Sequence, residues 1–178
     1  MKISFYIIIC IATITILGCS SDDEELPIAE HSVEGTWELR EVTMQGSGSA
    51  SVAQSPFPVP VSFTGNGTEY DMQLVLEEDT QVVTALGSFN LEVQVAAAGI
   101  NVGSRTLPII GSETFSGSWE QENGDLILIG NDNEVRFQII EITPANLILG
   151  GNPDLRDFEF EEGGVTVNEA DMRFVFDR

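Results

Sequence analysis

The stretch that decides the fold is Gly117-Ser118-Trp119-Glu120-Gln121-Glu122-Asn123-Gly124-Asp125-Leu126-Ile127-Leu128-Ile129. The apolar run Leu126-Ile127-Leu128-Ile129 is too short for a helix and suits the centre of a strand. Before it stands Asn123-Gly124, a pair that supplies the positive φ of a tight hairpin turn.

The same grammar extends in both directions. Tyr70, Met72, Leu74 and Leu76 alternate with polar residues, as do Phe89, Leu91, Val93 and Val95, and as do Phe158 and Phe160 with acidic neighbours. Ile139-Ile140 and Leu147-Ile148-Leu149 are denser, as expected at strand centres or where both faces are covered. Further turn signals stand at Gly65-Asn66-Gly67, Gly130-Asn131-Asp132-Asn133, Gly150-Gly151-Asn152-Pro153 and Gly163-Gly164. Residues 46–60 read as a loop ending in an extended edge segment, because Pro56, Pro58 and Pro60 cannot donate to a sheet ladder. No apolar period of 3.6 runs long enough for a substantial helix. The expectation is an all-β antiparallel meander of roughly eight to ten strands closing into a barrel, with a β-sandwich as the alternative.

The amino-terminal residues read differently. A basic start, Met1-Lys2, precedes an apolar run over residues 3–17, the pattern of a secretory signal. That run falls short of the roughly 20 apolar residues a spanning helix needs. Residues 1–18 are therefore expected to be removed, residues 19–32 to form an acidic flexible linker, and residues 33–178 to form one domain. Cys10 and Cys19 are the only cysteines, and Cys10 lies inside the signal. No disulfide, Cys-type zinc site or cysteine nucleophile is then available to the domain, so its stability must come from a packed core.

Charge narrows the function classes. The formal net charge is −22, and with the signal removed the only lysine, Lys2, is lost. A nucleic-acid binder needs cations to displace counterions from phosphates, so this class is excluded. His31, the sole histidine, falls in the linker, which leaves no relay for a serine nucleophile. The carboxylates mark no particular pair for glycosidic cleavage, and no enzymatic activity is expected. Asn131-Asp132-Asn133-Glu134 and Asp22-Asp23-Glu24-Glu25 lack calcium-loop spacing. Neither a metal nor a cofactor is expected.

Two resemblances add to this reading. Ile16-Leu17-Gly18-Cys19 resembles a bacterial lipobox, which implies a diacylglyceryl group on Cys19 and a partner in the membrane held through covalent lipid. The acidic run over residues 20–25 is similar to the signal that sends Bacteroidota-type lipoproteins to the outer face of the outer membrane. Gly35-Thr36-Trp37 resembles the G-x-W signature of lipocalins and lipocalin-like lipoproteins. The order Gly117-Ser118-Trp119, Gly124-Asp125-Leu126, Ile139-Ile140-Glu141-Ile142-Thr143 and Asn146-Leu147-Ile148-Leu149 resembles the second half of such proteins. The lipocalin T-D-Y motif is absent.

The resemblance implies that Gly35, Trp37 and Trp119 close one barrel end, with Arg173 crossing the tryptophan. Phe63, Tyr70, Leu74, Phe89, Leu91 and Phe137 are the inward positions expected to line a lumen for a small apolar or amphipathic ligand. The alternative is a β-sandwich interaction module that binds glycan or a protein partner in an outer-membrane assembly.

Overall fold

The computed structural model describes residues 32–51, 57–130, 134–152 and 165–178. Its strands are β1 (Gly35–Ala50), β2 (Val59–Thr68), β3 (Gln73–Glu77), β4 (Val82–Leu86), β5 (Ser88–Ala97) and β6 (Ile100–Ile110). A single helical turn, α1 (Gly111–Thr114), leads to β7 (Gly117–Glu122), β8 (Asp125–Ile129), β9 (Glu134–Ile142), β10 (Asn146–Gly151) and β11 (Val165–Asp177). The eleven strands form one antiparallel sheet, in which β11 returns to pair with β1. The result is a closed eight-stranded barrel of β1, β3, β4, β7, β8, β9, β10 and β11. This architecture is consistent with a lipocalin-like barrel; a sandwich would need two separate sheets.

The remaining strands, β2, β5 and β6, form a wing that continues from the barrel. They arise because two long strands are each broken by a bend. β2 and β3 both run antiparallel to β1, β2 against its carboxyl-terminal half and β3 against residues 35–38. β4 and β5 run on in the same way on either side of Gly87, whose φ is +73°. A Cβ at Gly87 would stand 1.7 Å from the Asp71 carbonyl oxygen, so only glycine permits this bend. At the fork in front of β1, the Tyr70 hydroxyl accepts the Val42 N–H at 3.0 Å. A side-chain oxygen thus replaces a strand carbonyl where the ladder is interrupted.

The seam between β4 and β7 is the shortest in the ring, with only Val82–Ser118 and Val83–Gly117 in register. One side chain and one backbone bond extend it. The Ala85 N–H donates to the Ser116 hydroxyl at 2.9 Å, and the Trp119 backbone N–H donates to the Gln81 carbonyl at 2.9 Å. Just after α1, Phe115 turns inward against Phe137 and Phe174, with ring centroids 6.2 and 6.0 Å away. Phe137 and Phe174 meet edge to face at 5.4 Å, a favoured aromatic geometry. These rings sit in one continuous apolar core with Trp37, Leu74, Leu126 and Leu147.

Several sequence expectations change. Residues 46–50 are part of β1 and form no loop. Their small side chains serve close approach: a Cβ at Gly48 would stand 2.9 Å from the Phe63 ring and 2.3 Å from the Thr166 carbonyl oxygen. Gly65-Asn66-Gly67 is likewise no turn but the paired body of β2, where Gly65 makes room for Met44. Gly150 and Gly151 close β10. The Asn123-Gly124 turn forms as read, with φ of 53° and 86°. Residues 131–133, Phe158, Phe160, Gly163 and Gly164 lie outside the described residues.

Candidate functional site

The barrel end at the start of β1 is closed by Trp37, which is fully buried. Its indole N–H donates to the Val33 carbonyl at 2.8 Å, which satisfies the one polar atom the ring carries inward. Gly35 has φ +127°, and a Cβ there would lie 2.5 Å from the Arg178 guanidinium. That guanidinium covers the tryptophan face, its central carbon 4.2 Å from the ring centroid, and donates to the Glu34 carbonyl.

The arginine across Trp37 is thus Arg178, and the expectation for Arg173 is corrected. Alternation along β11 decides it. Phe174 and Phe176 point inward, which turns Arg173 outward, where it stands 3.7 Å from Glu41. Trp119 is buried at the β4–β7 seam, and its indole N–H donates to the Glu77 carbonyl at 3.1 Å. Gly117 is required there because a Cβ would stand 2.1 Å from the Ile129 carbonyl oxygen.

Beside this closed end, the Glu34 carboxyl is held above its ordinary value. The cause is first a hydrogen bond with Glu78, then partial desolvation and the negative charges of Glu78 and Asp79; Arg178 pulls the other way. Neighbouring negative charge and a hydrogen bond to the carboxyl thus favour the protonated form of Glu34.

The residues expected to line a lumen are packed within the core. Leu74, Phe89, Leu91 and Phe137 have 0–2 % of their surface accessible, and Phe63 has 3 %. Tyr70 is partly buried, stacks on Phe89 with centroids 6.3 Å apart, and spends its hydroxyl on Val42. Residues bordering a ligand-sized cavity would expose area to it; these face one another. Phe63, Phe89 and Leu91 stand on the wing strands β2 and β5, outside the eight-stranded ring, which corrects the expectation that they line its lumen; Leu74 and Phe137, on ring strands, are packed among other side chains, as in many small barrels.

A recess lies instead on the outer wall. One row of paired positions crosses five strands: Thr43, Arg173, Gly150, Gln138 and Asp125. Their neighbours along each strand, including Met44, Met172, Phe137 and Leu126, point into the core, so this row faces outward. Gly150 has no side chain and β10 ends one residue later, which leaves a groove of about 550 Å³. A bulge in β9 turns Ile140 outward, so that its side chain lies over Gly150 with 54 % exposure. Arg136 is held by Asp125 at 3.1 Å and Glu134 at 3.9 Å. Gln45 and Asp171, opposite each other on β1 and β11, form the far rim.

Sequence reasoning missed this groove because its members are isolated polar residues on alternating strands. The available signal was Gly150, a glycine in a strand whose neighbours in register carry long polar side chains. Comparison with protein-family models, with curated proteins and with solved structures gives no match. Among the described residues no cluster of three or more His, Cys, Asp or Glu is placed to hold a metal, and no helix is long and apolar enough to cross a membrane. Cys19 and His31 lie outside the described residues.

Proposed function

We propose that this chain is a lipid-anchored outer-membrane protein, displayed at the cell surface, whose lipocalin-like barrel is a non-catalytic binding module that uses its outer wall. The observation that carries this reading is the burial of the expected lumen residues that stand on ring strands, Leu74 at 1 % and Phe137 at 2 % exposure. Such close packing among the described residues disfavours a small apolar ligand held inside. The wall, in contrast, offers a concave polar surface. The lipobox-like Ile16-Leu17-Gly18-Cys19 supports covalent attachment, and two acyl chains hold a protein on a bilayer without help from any apolar patch. The linker would join the domain at Val33, beside the closed end under Trp37, so that the opposite end of the barrel points away from the bilayer.

Labelled palmitate fed to cells expressing the full chain tests the anchor. The wild type should incorporate label and stay in the membrane pellet, whereas Cys19→Ala should do neither. A Cys19→Ala protein as firmly pelleted as the wild type would overturn the anchor. Native mass spectrometry of the extracted protein tests the binding surface: a stoichiometric lipid beyond the covalent chains would restore the lumen as the site.

A further inference from the structure

The geometry points to the outer-wall groove as a binding site for a neutral saccharide, a short run of pyranose units seated over Ile140. This deepens the outer-wall reading above and rests on it. The argument begins with the inventory of polar groups. Gln45 and Gln138 each offer a donor and an acceptor, Asp125 and Asp171 only acceptors, and Arg136 and Arg173 only donors. A partner that matches such a mixture must itself present donors and acceptors at close intervals, as the hydroxyls of a sugar do. Fatty acids do not offer that density.

Charge selects among sugars. Two arginines and two aspartates cancel locally, while the chain as a whole carries −22. The field of the whole molecule therefore repels polyanions from a groove that has no local excess of positive charge to attract them. An uncharged glycan is favoured over a uronate polymer or a phosphate. Shape adds a third constraint. A sugar ring has a C–H face that needs an apolar platform, and Ile140, exposed among the lining residues and turned outward by the β9 bulge, supplies one. Bulges commonly re-aim one side chain in this way. At about 550 Å³ the groove falls within the usual size of small-molecule sites.

The test uses the full chain in mild detergent against neutral trisaccharides of glucose, mannose, xylose and N-acetylglucosamine, with trigalacturonate as the acidic probe. At least one neutral trisaccharide should bind by calorimetry with an affinity insensitive to salt between 0.05 and 0.5 M, screening being the mark of charge-driven binding. Ile140→Ala and Gln138→Ala, both at exposed positions, should each weaken it by about tenfold, the usual cost of one lost contact or hydrogen bond. Gln73→Ala on β3, away from the groove, should leave it unchanged, and all three variants should melt as the wild type does. Absence of binding by every neutral sugar, binding unmoved by both groove variants, or salt-sensitive binding of trigalacturonate alone would overturn the inference. A lumenal lipid would instead overturn the outer-wall reading itself, so the two failures are distinct.

Discussion

Replacing Arg178 by methionine separates the two arginines that compete for the closed end of the barrel. The substitution keeps an unbranched stem and removes the guanidinium that covers Trp37 at 4.2 Å and donates to the Glu34 carbonyl. A cation over an aromatic face at a partly exposed site contributes about 0.5–1 kcal/mol. A hydrogen bond from a charged donor at a solvated position adds about 1 kcal/mol. Arg178→Met should therefore cost about 2 kcal/mol, a fall in Tm of roughly 4–8 °C for a domain of this size. Arg173→Met removes only an exposed pair at 3.7 Å and should cost no more than about 0.5 kcal/mol.

Urea unfolding followed by tryptophan fluorescence and by circular dichroism measures both variants. A double-mutant cycle with Trp37→Phe isolates the direct term, expected at about 0.5–1 kcal/mol of coupling. An Arg173→Met loss equal to that of Arg178→Met, or strictly additive Arg178→Met and Trp37→Phe effects, would refute the assignment.

Two further substitutions probe the fork and the carboxylate pair. Tyr70→Phe removes the acceptor of the Val42 N–H and should cost about 1–2 kcal/mol, with faster hydrogen exchange at Val42 than at neighbouring β1 amides; unchanged exchange there would show that the hydroxyl does not bridge the ladder. Glu34 binds its proton more tightly in the folded state, so folding takes up a proton in the window above the ordinary value of 4.5, and stability falls as pH rises through that window. Glu34→Gln should therefore raise the Tm at pH 7, and the gain should close as the pH drops below 4.5; a gain independent of pH would contradict the raised Glu34 value.

Much of the architecture was legible where periodicity and turn chemistry agreed. Asn123-Gly124 and the dense run after it specify a hairpin whatever surrounds them, and the two tryptophan strands lie where the spacing put them. Gly65-Asn66-Gly67 misled because a glycine that admits Met44 looks the same in sequence as one that turns the chain. Gly46 and Gly48 misled for a related reason, since crowding by residues distant along the chain leaves no local mark. The choice between Arg173 and Arg178 turned on parity: one residue along β11 reverses the face, and the phenylalanines at 174 and 176 already fixed which face was inward. The groove was the least legible feature, because it exists only when five strands lie side by side.

The pairing of β1 with β11 brings Glu38 against Asp177, so opposite ends of the domain must meet before the wall is complete. Contacts of such long sequence separation slow folding, because chain entropy is spent before they form. A polypeptide made amino end first would therefore keep its wall open until the last strand arrived.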